Sequence, residues 1–299
     1  MPKGTVVDNE NNTQENKTLI TEALTQEVNG VIKPLTVNSA RTVQPVALMR
    51  LGVFVPKPAR KKALSSDIDA SELLSSLNIA EIEGYTNIHI LGPRLDMEMD
   101  FKTWAGIIQA FHNYGRKGNT ISLPFTEFAK YCGFPTKRSD KKLRQKLQYS
   151  MTKIRAKTLS FSNQENTKQY VTGLIKTAFL DMDNDHVELE ADDRIWDLYR
   201  DDYRVLLRMK AFTRLTRQEL AQTLYTFFES LPGNPWPVSF ARLRERVCLV
   251  SEIKGQNRAI RNGLEKLRDI GYLDYDIVEK NKENYVVIHK RNAALDTKE

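Results

Sequence analysis

At 299 residues the chain exceeds one typical domain and suits two of ordinary size, with 40% hydrophobic and 9% aromatic residues to fill two modest cores. No run of about 18 apolar residues occurs, which excludes a helical membrane span, and the polar start MPKGTVVDNENNTQENKT lacks a secretory or transit pattern, so a soluble cytoplasmic protein is expected. The net charge of +7 is unevenly spread: residues 137–157 carry nine Lys/Arg against Asp140 alone, and 181–202 carry ten acids against Arg194 and Arg200. Such segregation predicts one face for a phosphate backbone and another turned away from it.

Residues 1–41 are rich in Asn, Thr, Glu and Gln without sustained apolar period, and predict a mostly disordered tail. An arm and linker follow over 42–85. Within it VQPVALMRLGVFVP (43–56) is too short for a domain and is expected to dock as a strand or arm on the first module, while Arg60-Lys61-Lys62 reads as solvated linker charge. NIHILGPRL (87–95) alternates as a strand. FKTWAGIIQAFHNYG (101–115) is apolar at 101, 104, 107, 108 and 111, a helical stripe with Asp100 as N-cap. TISLPF (120–125) is a strand, and Thr126 caps the short helix TEFAKYCGF (126–134). In the basic helix drawn over 140–162, Leu143, Leu147, Ser150 and Ile154 share one face, and Lys141, Arg144, Gln145, Gln148 and Thr152 the other. A hairpin is predicted over 169–180, then a strand, HVELEA (186–191), and a closing helix, DDRIWDLYRD (192–201).

A second module opens with YRVLLRMKAF (203–212) and the amphipathic helix TRQELAQTLYTFFESL (216–231), with Thr216 and Glu219 as a capping box and Pro232, Gly233 and Pro235 as its stop. PWPVSF (235–240) is a short strand, and SFARLRERVCLV (239–250) a short apolar helix. On the helix of 256–270, Ile260, Leu264 and Leu267 point inward while Arg258, Arg261, Asn262 and Glu265 point outward. The chain then forms a hairpin, YLDYDIVEK and YVVIHKR, about a turn at Asn281–Asn284. Residues 293–299 are read as a tail. Cys132 and Cys248 each end a short apolar helix and are expected as small buried hydrophobes.

The two modules repeat one pattern: short apolar helix, turn, basic amphipathic helix, hairpin. Phe125 matches Phe240, Phe128 matches Leu243 and Leu147 matches Leu264, at offsets of 115, 115 and 117. This is the plan of a winged helix-turn-helix, whose second helix enters the DNA major groove. The expected fold class is therefore α+β, with tandem winged-helix domains over 86–202 and 203–292. Other chemistry is poorly supported. Gly115–Thr120 has the wrong spacing for a phosphate cradle. Histidines 89, 112, 186 and 289 are isolated, and no tyrosine has a visible metal partner, against a nicking enzyme. Asp181–Asp185 resembles the start of a calcium loop, but His186 stands where Gly is required, so a polar hairpin turn explains it better. No catalytic residue, metal or cofactor is assigned.

A basic helix alone is often only a solvated face, but here the same context surrounds it twice. The candidate DNA contacts are Lys254, Asn257, Arg258, Arg261 and Asn262 in the second module, with Lys282 in its wing. In the first they are Lys137, Arg138, Lys141, Lys142, Arg144 and Gln145. Arg forks to guanine and Asn or Gln to adenine, while Lys mainly holds phosphate.

TVQPVALMRLGVFVP (42–56), GPRLDMEMDFKTWAGII (92–108), LPFTEFAKYCG (123–133), QTLYTFFESLP (222–232) and LEKLRDIGYLDY (264–275) closely resemble the RepA family of replication initiators from IncFIB-type plasmids. That family lies within the superfamily of iteron-binding plasmid initiators with two winged-helix domains, and the resemblance spans about 42–290. It implies a non-enzymatic protein that binds repeated duplex sites (iterons) at a plasmid origin, helps open it, and recruits the host initiator and replicative helicase. It further implies that the C-terminal winged helix makes the main base contacts. The N-terminal one would support phosphate contacts in the monomer and form the interface of a homodimer in equilibrium with it, the dimer acting as autorepressor. A transcriptional repressor without an initiation role is the alternative, and a rolling-circle nicking initiator a more distant one.

Overall fold

The structure, a computed structural model, describes residues 25–28, 31–35, 37–57, 65–75, 77–114, 119–134, 141–181, 183–192, 196, 198, 199 and 204–295. Thr25–Val28 (β1) and Val31–Pro34 (β2) pair antiparallel, inside the stretch whose polar composition predicts a mostly disordered tail. The arm comprises Arg41–Pro45 (β3), Val46–Arg50 (α1) and Phe54–Val55 (β4), followed by Ser65–Asp69 (β5), Ser71–Leu74 (α2) and Asn78–Glu83 (α3). The first half continues through Asn87–Pro93 (β6), Leu95–Asp96 (β7), Asp100–Tyr114 (α4), Thr120–Pro124 (β8), Phe125–Tyr131 (α5) and Lys141–Arg155 (α6). It ends with Thr158–Ser162 (β9), Gln169–Gly173 (β10), Thr177–Asp181 (β11) and His186–Glu190 (β12). The second half holds Arg204–Arg208 (β13), Met209–Arg214 (α7), Glu219–Glu229 (α8), Val238–Ser239 (β14), Phe240–Val247 (α9), Ile253–Asp269 (α10), Leu273–Lys280 (β15) and Glu283–Arg291 (β16). Of the helix expected over 192–201, Trp196, Leu198 and Tyr199 are described and buried.

The basic helix α6 stops at Arg155 rather than running to 162. Beyond it Leu159 and Phe161 alternate inward, a strand pattern, and β9 pairs with β6 in a sheet ordered β10-β9-β6-β5. The hairpin β9–β10 is therefore not the counterpart of β15–β16. In the second half, β14 pairs with the last strand of its hairpin, giving the order β14-β16-β15. In the first half the strand in the same place, β8, pairs with β12, giving β11-β12-β8. The wing of the first half is thus 177–190, and the expectation of a hairpin at 169–180 is corrected. Register explains the choice: Val187 opposite Leu123 and Leu189 opposite Ile121 bury four apolar side chains on one face.

Three caps differ from expectation. Asp96, not Asp100, starts α4: its Oδ1 accepts from the N–H groups of Met99 (2.7 Å) and Asp100 (3.3 Å), and Asp100 Oδ2 returns the bond to the N–H of Asp96 (2.7 Å). Burial, with the charge of Asp96, holds the Asp100 carboxyl above its usual range, and Ser150 and Lys153 of α6 both bond to it. Thr126 does not cap α5 but donates to Asp185 in the first wing (3.1 Å). Thr216 turns back to the carbonyl of Thr213 (2.7 Å). The Glu219 carboxylate instead accepts from the N–H groups of Lys57 in the arm (2.9 Å) and Met97 in the first half (3.4 Å). Glu98 reciprocates, accepting from the N–H of Arg217 (2.5 Å) and from Gln222 (2.8 Å) at the start of α8. Each half thus satisfies backbone donors of the other.

The two cores expected from composition are continuous. Rings of Phe54, Phe101, Phe212, Tyr225 and Tyr272 follow one another at centroid spacings of 5.2, 4.9, 5.5 and 4.8 Å, from the arm through α4, α7 and α8 to the foot of β15. Trp104, Ile107, Ile108 and Phe111 of α4 are all buried in this core, so that helix offers none of them to a partner. Two glycines permit the closest helix contacts. A Cβ on Gly106 would lie 2.4 Å from Cys132 Sγ, and one on Gly263 would lie 2.2 Å from Leu220 Cδ2. Leu295, read as tail, is buried.

The arm does more than dock on the first half. β3 pairs with β13 of the second half, while Gln44 accepts from Trp104 Nε1 (2.9 Å) and Tyr199 Oη (3.1 Å) of the first. Arg246, on α9 and only 3% exposed, donates to the carbonyls of Met49 (2.7 Å) and Phe54 (3.1 Å). Burial lowers its pKa to about 10, so the guanidinium stays charged at neutral pH. Arg246→Met, which keeps the stem and removes the donors, should cost about 1–3 kcal/mol for each carbonyl left without one, read as a lower urea midpoint. Glu219 gives a test of opposite sign. Burial raises its carboxyl pKa, so the group favours folding when protonated and opposes it as pH rises past that value. Glu219→Gln keeps an acceptor without the charge, and should raise the urea midpoint at pH 7 while losing that advantage at pH 4.

Candidate nucleic-acid interface

The second half builds its outer face from α9, α10 and the hairpin. Ser239 caps α9 by accepting from the N–H of Arg242 (3.2 Å), and Cys248 ends it with φ of +48°. That conformation, which usually selects Gly, leaves Cys248 half-buried instead of fully buried as expected, whereas Cys132 is fully enclosed. Gln256 donates to the carbonyls of Leu249 (3.2 Å) and Ser251 (2.5 Å), fixing the turn between the helices. Arg94 of the first half holds the same turn through the carbonyl of Cys248 (2.8 Å). On α10, Ile260, Leu264 and Leu267 are buried while Lys254, Arg258, Arg261 and Asn262 are exposed. Asn257 is half-buried, its Oδ1 accepting from Arg244 (2.8 Å). At the wing tip Asn281 and Lys282 have φ of +53° and +62°, a two-residue turn that leaves Lys282 exposed.

One arrangement recurs in both halves. Arg261 of α10 lies over the ring of Phe240, the first residue of α9 (5.1 Å to the centroid), and donates to Asn284 in the wing (3.0 Å). Arg144 of α6 lies over the ring of Phe125, the first residue of α5 (4.6 Å), and pairs with Asp185 in its own wing (3.2 Å). Both arginines thus bind each basic helix to the hairpin beside it. The match confirms independently of the sheet order that 177–190 corresponds to 273–291. The offset of 117 between Arg144 and Arg261 is visible in sequence, but their wing partners, one Asp and one Asn, are not.

The charge run of the first half divides once side chains are placed. Lys153 is committed to Asp100 and Asp96. Lys157 is buried and donates to Ser66 (2.6 Å), burial and Arg94 lowering its pKa to about 8. Arg144 is held by the wing. Lys141, Lys142 and Gln145 remain on the exposed face with Gln148, Tyr149 and Thr152, and Lys146 and Arg155 are exposed beside it. Lys137 and Arg138 lie outside the described residues. Nor do the acids of 181–192 all face away: Asp185 sits against the basic helix, because a wing must pack beside its helix. Asp181 accepts from the N–H groups of Asp183 (3.0 Å) and Asn184 (3.1 Å), the polar turn expected there. Among the described residues no group of three or more His, Cys, Asp or Glu side chains is placed to hold a metal ion, and no helix is long and apolar enough to cross a membrane.

Comparisons with known proteins identify the family and the fold. The family model described as "Initiator Replication protein, WH1" matches residues 98–229. A "Protein RepA" of Escherichia coli is 52% identical over 282 residues, covering 94% of this chain and 98% of that one. "RepFIB replication protein A" of Salmonella typhi is 46% identical over 273 residues, covering 89% and 84%. The solved structure of domains 2 and 3 of RctB has a similar fold, with a TM-score of 0.51 at 12% identity over 85% of this chain and 98% of that one. With 52% identity to a RepA protein over 94% of this chain and 98% of that one, the chain belongs to the RepA family of plasmid replication initiators.

Proposed function

We propose that the two halves act as tandem winged-helix domains, over 86–202 and 203–292 behind the arm of 42–85, and grip repeated sites in duplex DNA at a plasmid origin. The observation that carries this proposal is the exposed face of α10. There Lys254, Arg258, Arg261 and Asn262 project beside a wing tipped by Lys282, on a helix whose opposite face is fully buried. An α-helix fits the major groove, and a forked cation on it reads base edges. Arg258 is the principal reader, since among the described residues its side chain makes no hydrogen bond or ion pair. Arg261 sets the wing against the groove. In the first half Lys141, Lys142 and Gln145 supply supporting phosphate contacts, with Lys137 and Arg138 preceding them and Arg144 holding the wing.

Binding at such a site by a non-enzymatic initiator in the bacterial cytoplasm would help open the origin and recruit the host initiator and helicase. A homodimer formed through the first half, in equilibrium with the monomer, would repress the protein's own gene. Family membership supports these roles. Footprinting of DNA flanking the gene tests them: regularly spaced protections are expected, and a single palindromic operator would favour a repressor instead.

Affinity should fall steeply with salt, with a log–log slope of about −0.9 for each phosphate neutralised. A flat plot would remove the phosphate-contacting faces. Arg258→Ala should cost about 1–3 kcal/mol and relax base preference, whereas Lys141→Ala should weaken binding evenly across sequences. A base preference altered by the change at 141 and untouched by the change at 258 would reverse the assignment of reader and supporter.

A further inference from the structure

Two aliphatic side chains stand largely exposed at the leading end of α10. Ile253, the first residue of the helix, is 63% exposed, and Val250, in the turn just before it, is 62% exposed. Ile253 directly precedes Lys254 and Val250 lies in the turn that leads into the same helix end, so duplex DNA drawn to that cation would meet both. The remaining chemistry of this turn is restricted. The Nε2 of Gln256 is committed to two backbone carbonyls of the turn, and the Oδ1 of Asn257 to Arg244. Lys254 and Arg258 are the exposed cations of the first two turns of α10. Glu252, exposed between the two aliphatic residues, repels phosphate and favours the floor of the groove over its walls.

We infer that Val250 and Ile253 are specificity-determining residues that pack on the C5-methyl of thymine in the major groove. That methyl is the one apolar group a base pair presents there. The inference rests on α10 being the major-groove element. Within that frame it assigns apolar readout to the turn and start of α10, and hydrogen-bonding readout to Arg258.

The test replaces thymines of the footprinted site with deoxyuridine, one at a time, which removes the methyl and leaves base pairing intact. The wild-type chain should lose roughly fourfold in affinity at one or two positions, the worth of one buried methyl group. Ile253→Ala or Val250→Ala should bind the thymine site more weakly by a similar factor and become indifferent to deoxyuridine at the matching position. Because both residues are exposed, their truncation leaves the core intact, and the deoxyuridine series on the wild-type chain needs no variant at all. Binding that depends on Arg258 but shows no methyl-sensitive thymine would overturn the apolar contact alone. So would methyl sensitivity that persists unchanged in both variants. Binding that ignores Arg258, with no footprint, would overturn the interface and the contact together.

Discussion

Two buried backbone carbonyls, those of Met49 and Phe54, have Arg246 of α9 as their donor. A guanidinium is taken out of water only where several acceptors surround it, and a buried carbonyl is tolerated only where a donor reaches it. Neither half can meet both conditions alone, because the donor lies in the second half and the acceptors in the arm. The arm is bound in turn to the first half through Gln44 and to the second through β13. Glu98 and Glu219, each capping backbone of the opposite half, add the same mutual dependence at the ends of α4 and α8. One continuous core between the halves follows from these polar constraints as much as from the aromatic chain that fills it.

The consequence for the proposed DNA contact is geometric. The turn before α10 is held by Arg94 from the first half, and α9 is pinned to the arm by Arg246, so α10, the proposed reading helix, keeps a set orientation to the first half. Within each half the stacked arginine, Arg144 or Arg261, then sets the wing against its helix. Positive charge is accordingly used in two ways. Arg144, Lys153, Lys157 and Arg246 build the scaffold, whereas Lys141, Lys142, Lys254, Arg258 and Lys282 stay at its surface. A basic run is not by itself a DNA-binding face, and counting cations between 137 and 157 overstates what α6 can present to phosphate.

Much of this protein was legible in its residues. The repeat of short helix, basic helix and hairpin, the inward stripes of α6 and α10, and the positions of Arg258 and Asn262 on the outer face all follow from helical periodicity, a local property. The blocks resembling the RepA family carried the initiator assignment, because extended identity reports common descent without any knowledge of contacts. Only the tertiary structure decided which hairpin is the first wing. Two hairpins follow α6, each with a plausible alternation, and the choice depends on pairing with β8, more than fifty residues upstream of β11. It also decided that Asp96 caps α4, that Glu219 faces the other half, and that Arg144 and Arg261 serve the wings. A polar side chain's partner is set by whichever unsatisfied group lies within about 3 Å in space, and linear spacing does not encode that distance.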